Sequence, residues 1–411
     1  MNATDTIIKT DICIIGAGPA GATTSLFLSK MKIPHVIIDA AEFPRDKVCG
    51  DGLDLKVMRV LNNLEPGLVE REILNNENFT QSNSVCIHIN EKKKAVLKYT
   101  PQGNEAAYPF FFFSKRNYFD NFLVKKIDPT YATLLEGTKA EKITWNGSES
   151  TIIAKNNNTQ IEIQAQLLVG ADGDHSVVLR SLGERHINRD NYAGGLRQYW
   201  KGISDLQANH LEIYLPKSLP LAYLWIFPLP NGEANVGCGL QSTLIKKNHI
   251  NLKDLLNDII TNDPVLKGRF KNAIPLETAQ GWGLPLASLK RKIAGDGWLL
   301  TGDAGSLIYP TTGEGIGPAM MSGYIAAHFI KEAVAKNNFT AESFTNYERE
   351  IYKRLNDSIK IYRFLKNTSP ILYNFFISYI ATHPFCKYYF KKNVAKWIST
   401  AYTKKIEVDF N

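Results

Sequence analysis

Apolar and polar positions alternate along this chain in a pattern that repeats: a short β-branched run, a glycine-rich turn, then a stretch compatible with a helix. Asp11 to Ile15 reads as a buried strand, Gly16-Ala17-Gly18-Pro19-Ala20-Gly21 as a turn, and the residues up to Lys30 as a helix. His35 to Ile38 reads as a second strand that ends at Asp39, and Ala165 to Val169 as a third that runs into Gly170-Ala171-Asp172-Gly173-Asp174. Trp298 to Thr301 leads into Gly302-Asp303-Ala304-Gly305, then through Pro310 to Thr312-Gly313-Glu314-Gly315-Ile316-Gly317 and a helix rich in small residues over Pro318 to Ile330. Other segments alternate with period two and so predict half-buried strands: Ser84 to His88, Ala95 to Tyr99 and Ala222 to Pro228. In the last of these Tyr223, Trp225 and Phe227 fall on one face, and Ala222, Leu224 and Ile226 on the other. Asn156-Asn157-Asn158 predicts a hairpin turn and Asn75 to Asn78 a surface loop.

The first strand, turn and helix have the order and spacing of a dinucleotide site. Gly16 permits the tight turn, Gly18 lets backbone approach a pyrophosphate, and Gly21 lets the helix pack against the strand. The helix N-terminus then faces the anion, with Ala20 inside its first turn. Asp39 stands 23 residues after Gly16, where a carboxylate can bond a ribose hydroxyl. The glycines at Gly302, Gly313 and Gly315 provide a second place where consecutive N–H groups meet negative charge, such as that of a reduced flavin. The chain holds a single GxGxxG, so a nicotinamide cofactor has no second Rossmann unit and would bind transiently elsewhere. HExxH, Cys/His zinc spacing, Walker A and GxSxG sequences are all missing, which leaves metal and serine-hydrolase chemistry unsupported.

Composition sets the remaining bounds. The 411 residues are 44% hydrophobic and 21% charged, an ordinary globular balance with room for a large core. The five cysteines are scattered without a CxxC pair, which predicts a reducing compartment and a cytoplasmic location. Residues 1–10 show no export signal, and the apolar stretch 371–380 falls well short of the roughly 20 residues a membrane span needs. The net charge of +8 resides in the tail, since residues 351–411 hold eleven Lys and Arg against three Asp and Glu, and 14 of the 44 aromatics. Two readings of this tail stand: a helical cap with buried rings and solvated lysines, or a basic, aromatic surface that touches the inner face of a membrane peripherally. Nothing accompanies it that would point to nucleic acid.

The three glycine and aspartate segments, taken in order, resemble the flavoprotein group typified by p-hydroxybenzoate hydroxylase, whose fingerprints are GxGxxG, a DG segment and a GD segment. Arg116, Phe119, Asp120 and Leu123 match the group's RxxFDxxL element. Within that group the chain is most similar to the geranylgeranyl reductase family. The loop Pro44-Arg45-Asp46-Lys47-Val48-Cys49-Gly50-Asp51-Gly52-Leu53 resembles that family's N-terminal loop, and Pro220, Tyr223, Trp225, Phe227 and Pro228 meet its lipid-site motif PxxYxWxFP, with Asn235-Val236-Gly237 continuing the likeness. The resemblance spans about Asp11 to Ile330 and leaves the tail unmatched.

The resemblance implies an α/β fold: a Rossmann-like FAD-binding domain built from 1–70, 105–195 and 285–335, an antiparallel-sheet substrate domain from 71–104 and 196–284, and a helical C-terminal region over 336–411. It implies FAD, held by Gly16, Gly18, Ala20, Gly21, Asp39, Arg45, Cys49, Gly50, Arg116, Asp172, Gly302, Asp303, Gly313, Gly315 and Ile316. NAD(P)H would be the transient electron donor. The implied activity is reduction of carbon–carbon double bonds in a geranylgeranyl or related polyprenyl chain held along Tyr223, Trp225, Phe227 and Pro228. Cys49, placed at the flavin's reactive face with its reactivity set by neighbours such as Arg45 and Lys47, would supply the proton. Two alternatives share the scaffold: a monooxygenase, and an electron relay at a membrane surface. Halogenation is disfavoured, because halogenases of this group carry WxWxIP where this chain has Tyr223, Trp225, Phe227 and Pro228.

Overall fold

The computed structural model describes residues 6–90, 93–98, 109–183, 188–215, 222–368, 379 and 383–385. Pro220, Cys386 and the basic, aromatic run from Tyr388 to Trp397 lie outside the described residues. The segment 336–411 is therefore described mainly up to residue 368.

The first sheet is the parallel scaffold that the glycine turns require. Thr6–Ile15 lies between Thr159–Gly170 on one side and His35–Ile38 on the other, all parallel, and its last four residues are buried because both neighbours and both faces are covered. Ala132–Leu135 extends the sheet beyond His35–Ile38, and Trp298–Leu300 pairs in parallel with the end of Thr159–Gly170. The other end of that long strand carries the antiparallel hairpin Thr138–Trp145 and Ser150–Asn156, so one strand serves two structures. Asn157, at φ 52°, turns the chain between Ser150–Asn156 and Thr159–Gly170 as the asparagine run predicts.

Helix Pro19–Lys30 follows the first strand, and helix Ile316–Ala335 packs across it. Their closeness depends on small residues: a Cβ at Gly323 would lie 2.3 Å from the Ala20 carbonyl oxygen and 2.9 Å from Thr24 Oγ1. Helix Thr345–Lys366 buries Tyr347, Ile351, Tyr352, Leu355, Ile359 and Tyr362, a stripe at helical spacing. It is tied down by the Tyr347 hydroxyl, which donates to the Leu300 carbonyl at 2.7 Å. In its described part the tail thus caps the molecule as a helix.

The second sheet runs in the order Ile274–Pro275, Tyr192–Lys201, Glu233–Gln241, Tyr223–Pro228, His210–Tyr214, Ser84–Asn90, Lys93–Lys98, with Gln280–Pro285 also on Tyr192–Lys201. It is antiparallel as expected except at one place, where His210–Tyr214 pairs in parallel with Ser84–Asn90. That strand comes from a distant part of the sequence, so no hairpin constrains its direction. Alternation divides the sheet's faces. Leu196, Leu224, Ile226, Val236 and Cys238 form a core with Leu256, Ile260, Leu266 and Phe270 of the helices Leu252–Asn262 and Leu266–Phe270. The intervening residues face the other way, toward the first sheet. A small third sheet, Gly52–Leu53, Phe111–Phe113 and Thr80–Ser82, lies between the two.

Candidate functional site

Two helix N-termini converge where the glycine turns meet. Gly16 has φ 99°, and a Cβ there would lie 2.4 Å from the Ala171 carbonyl oxygen; one at Gly21 would lie 1.8 Å from the Gly16 carbonyl oxygen. Both positions therefore exclude every side chain. Gly302, at φ 57°, sits between Ala20 and Ala319, the first turns of the two long helices, with their Cβ atoms 3.0 and 3.3 Å from where its own would be. Neither helix, starting after Gly18 and after Gly315, has a side-chain cap or an acidic residue in its first turn. The N–H groups and positive dipole end of the first helix are thus left for an anion, whereas the second start already has a carboxylate beside it, the Asp54 oxygens lying 2.5 and 2.7 Å from where a Gly317 Cβ would be. The Arg45 guanidinium reaches within 3.6 Å of the Cβ position of Gly18 and pairs with Asp120 at 2.6 Å, and Arg116 binds the same carboxylate through both its Nε and Nη2 at 2.7 Å. Asp120 thereby holds two cations beside the turn.

The three aspartates do different work. Asp39 accepts from the N–H of Ala17 at 2.7 Å and of Ala41 at 2.9 Å, so its carboxylate braces the first turn with both oxygens. Asp172 Oδ2 accepts from Val177 N–H at 2.6 Å, while its Oδ1 is buried without a partner. The Asp303 carboxylate accepts no hydrogen bond among the described residues and lies near Gly315; burial pushes its pKa up, and Lys47 and Arg116 oppose the rise. An orphaned buried oxygen, an unbonded carboxylate, two uncapped helix starts and a guanidinium over the turn fit a diphosphate flanked by hydroxyl-bearing groups, which is what FAD presents.

The loop carrying Cys49 crosses from this cradle to the second sheet. Gly50 rests on the aromatic row: a Cβ there would be 3.3 Å from Phe227 Cε2 and 3.7 Å from Trp225 Nε1. The next turn does the same, since a Cβ at Gly313 would lie 2.6 Å from the Tyr223 hydroxyl, which donates to the Thr312 carbonyl at 3.0 Å. Tyr223, Trp225 and Phe227 therefore share a face as the alternation predicts, and that face supports both loops. Trp225 can lie flat because its neighbour is Gly237, where a Cβ would fall 2.2 Å from the indole. Pro228, the buried end of the strand, pairs with Ala234. The row continues beyond the strand: ring centroids follow at 5.7 Å from Tyr223 to Trp225, 6.0 Å to Phe227, 5.1 Å to Phe113, 6.1 Å to Phe111 and 4.7 Å to Phe110.

Beneath the loop is a buried polar group to which sequence reasoning gave no role, although Asp51 and Asn235 both lie in segments that carry the family likeness. Asn235 donates from Nδ2 to the Cys49 carbonyl at 2.7 Å and to Asp51 Oδ2 at 2.8 Å, and accepts from Trp225 Nε1 at 2.8 Å. The Tyr199 hydroxyl also donates to Asp51 Oδ2, at 2.8 Å. Arg197, 1% exposed, lies 3.9 Å under the Tyr199 ring and pairs with Asp46 and Glu277. Arg197, Tyr199 and Asn235 occupy site-facing positions of adjacent strands in register, with Tyr199 opposite Asn235 and Arg197 opposite Gly237. A second cluster stands beside the other turn: Asp54 caps helix Leu55–Leu64, and Lys56 binds Asp54 at 2.5 Å and Glu314 at 3.6 Å. Burial raises the Glu314 carboxyl to about 7 against the pull of Lys56.

Cys49 itself is held as a thiol. Burial raises its pKa first; the Arg116 guanidinium pulls it down and the Asp51 carboxylate pushes it up. Its strongest charged neighbours are thus Arg116 and Asp51, where the sequence pointed to Arg45 and Lys47. Arg45 is engaged by Asp120, and Lys47 stands 3.0 Å over the Trp282 ring, its pKa lowered to about 8 chiefly by burial. Among the described residues no group of three or more His, Cys, Asp or Glu side chains could hold a metal ion.

Comparison with known proteins adds to this geometry. Residues 9–218 match the family model described as an FAD binding domain, and residues 195–281 match that of the geranylgeranyl reductase catalytic domain. A digeranylgeranylglycerophospholipid reductase from Thermoplasma acidophilum is 28% identical over 351 residues, covering 84% of this chain and 83% of the relative. A menaquinone reductase from Mycobacterium tuberculosis is 28% identical over 371 residues, covering 88% of this chain and 86% of the relative. Among solved structures, a geranylgeranyl bacteriochlorophyll reductase-like protein from Thermoplasma acidophilum superposes with a TM-score of 0.80 at 23% identity, over 97% of each chain.

Proposed function

This chain belongs to the FAD-dependent oxidoreductases of the geranylgeranyl reductase group, and from that premise we propose that it reduces carbon–carbon double bonds of a geranylgeranyl or related polyprenyl chain, with NAD(P)H as donor. One observation carries the reading: Gly50 rests against the aromatic row while Cys49 lies beside Arg116 of the anion cradle, which supports a thiol at the meeting point of cofactor and apolar chain. When bound, FAD would supply the redox chemistry that links the nicotinamide donor to the alkene.

The chain's own residues do the rest. Gly18, Ala20 and Gly21, with Gly315 and Ile316 at the second helix start, present backbone N–H groups to the diphosphate and the flavin edge, Gly16 and Gly313 shape the turns while their own N–H groups donate to the Ile38 and Tyr309 carbonyls at 2.8 and 2.9 Å, and Arg45 and Arg116 add charge. Asp39, Asp172 and Asp303 offer acceptors to hydroxyls, and Gly302 allows the two helix starts to come together. Gly50 keeps the loop thin against the rings. The row from Tyr223 to Phe110 gives an isoprenoid, which has no hydrogen bonds to offer, a continuous aromatic surface. Cys49, kept neutral by burial, donates its proton to the carbon opposite hydride delivery. The relatives named for a digeranylgeranyl lipid and for menaquinone support an apolar substrate of this class. On this reading 1–70, 105–195 and 285–335 form the cofactor part, and 71–104 and 196–284 the substrate part. No described helix is long and apolar enough to cross a membrane, and contact of 351–411 with a lipid surface would be peripheral.

Cys49→Ser tests the assignment. It should retain full flavin occupancy and lose about a hundredfold in the rate of saturated product, the usual contribution of a positioned acid. Unchanged turnover would remove Cys49 from the chemistry.

A further inference from the structure

Asp51 is a buried ionisable group that has no part in the proposed reaction. It is fully buried, two residues from the thiol, and held at φ 63°, a left-handed conformation that an aspartate adopts at some cost. Its two oxygens are treated differently. Oδ2 takes hydrogen bonds from Tyr199 and Asn235, both at 2.8 Å, whereas Oδ1 is buried and takes none. An ionised carboxylate with one buried oxygen left bare is costly; a carboxylic acid with its proton on the bare oxygen is less so. The charged and titratable groups around it are Tyr199 and Arg197 from strand Tyr192–Lys201, Arg116 from helix Arg116–Val124, and Cys49 from its own loop. Asn235 faces it from strand Glu233–Gln241 and also binds the Cys49 carbonyl, so the acid and the backbone of the thiol-bearing residue are fixed to one amide, and the Asp51 N–H itself faces the sulfur.

We propose that Asp51 is the proton reservoir of Cys49, returning a proton to the sulfur after the thiol has given its own to the alkene. The inference rests on the assignment of Cys49 as proton donor. In the donation the S–H bond breaks and a C–H bond forms, leaving a thiolate; the Asp51 O–H bond then breaks, S–H re-forms, and the charge rests on the carboxylate. Water reprotonates the carboxylate between turnovers. No electrons move in the reloading step. Its direction is set by the surroundings. Burial keeps the thiol's pKa above its ordinary value, and the carboxyl rises only to about 6, because Asn235, Tyr199, Arg197 and Arg116 all favour its charged form. Proton transfer from Asp51 to the thiolate is therefore downhill. As pH rises through about 6 the acid ionises and the reservoir empties, so repeated turnover should slow with pH while the first turnover does not.

The test uses the FAD-loaded protein and has a readout that needs no substrate. Cys49 is alkylated with iodoacetamide and followed by peptide mass in the wild type and in Asp51→Asn. At pH 5, where Asp51 is neutral in both, the rates should agree within twofold. At pH 8 the wild-type carboxylate suppresses the thiolate, and the variant should react at least threefold faster. A purely structural role for Asp51 would shift both pH values alike and overturn the proposal. With geranylgeranyl diphosphate as the alkene probe, Asp51→Asn should keep its single-turnover rate within twofold and lose about tenfold in steady state, and Asp51→Glu should restore part of that loss. Equal losses in both regimes, or none in either, would contradict the reservoir. Tyr199→Phe keeps the loop's sequence and removes one donor to Oδ2, so it should move the steady-state pH break upward; an unmoved break would also count against it. Failure of the parent assignment is recognised separately, because Cys49→Ser would then turn over normally.

Discussion

The two walls of the site are built on different principles. The cofactor wall is made of backbone: glycines at positive φ, two uncapped helix starts, and carbonyls so near that a Cβ at Gly21 would sit 1.8 Å from Gly16 O. The opposite wall is made of side chains in register on antiparallel strands, with Tyr223, Trp225 and Phe227 in one row and Asn235, Tyr199 and Arg197 buried behind the loop. A backbone wall reads charge and shape, and tolerates no added atoms. A side-chain wall can change its residues one at a time and so change what it binds, which is where substrate choice is expected to reside on a shared flavin scaffold.

That contrast can be broken at either wall. Gly21→Val should have the largest effect: it forces a branched side chain against the Gly16 carbonyl, costs about 3 kcal/mol or more as overpacking, and abolishes flavin retention, read as the ratio of flavin to protein absorbance. Arg197→Met should cost somewhat less. It removes a buried cation shared by Asp46 and Glu277, and because Asp46 is 45% exposed the loss should come at the low end of what breaking a buried pair costs, about 3 kcal/mol in a urea titration. Flavin should stay bound, and a variant that lost it would show the two walls to be one unit. Tyr223→Phe sharpens the contrast at the point where the walls touch. Loss of the hydrogen bond to Thr312 should cost about 1 kcal/mol, seen as a small rise in the flavin dissociation constant with the ring still in place.

The same difference decided what could be read from the sequence. Gly16, Gly18, Gly21, Gly302 and Gly315 stand at fixed offsets from a strand end and a helix start, because backbone geometry dictates the spacing. The alternation of Tyr223, Trp225 and Phe227 was legible for a similar reason, a period of two. Arg197, Tyr199, Asp51 and Asn235 come from three elements with no fixed separation, and only strand register brings them together. Their trace was partial: Asp51 and Asn235 stand in segments that carry the family likeness, whereas Arg197 and Tyr199 show only as an arginine and a tyrosine within Leu196 to Trp200. The run Phe110 to Phe113 is apolar throughout and shows no alternation, and Phe112 and Phe113 are fully buried. Its continuity with the aromatic strand depends on the small sheet that pairs Phe111–Phe113 with Gly52–Leu53. The parallel contact of Ser84–Asn90 with His210–Tyr214 was invisible for want of any local signal.

The central claim is that the thiol loop and the two walls together reduce an alkene. It is tested most directly by reducing the purified flavoprotein anaerobically, adding a geranylgeranyl compound, and following flavin absorbance together with product mass. The account predicts reoxidation without oxygen, and a product heavier by two hydrogens for each flavin reoxidised. A flavin that stays reduced with a range of prenyl compounds until oxygen is admitted, and then yields an oxygenated product or none, would contradict it.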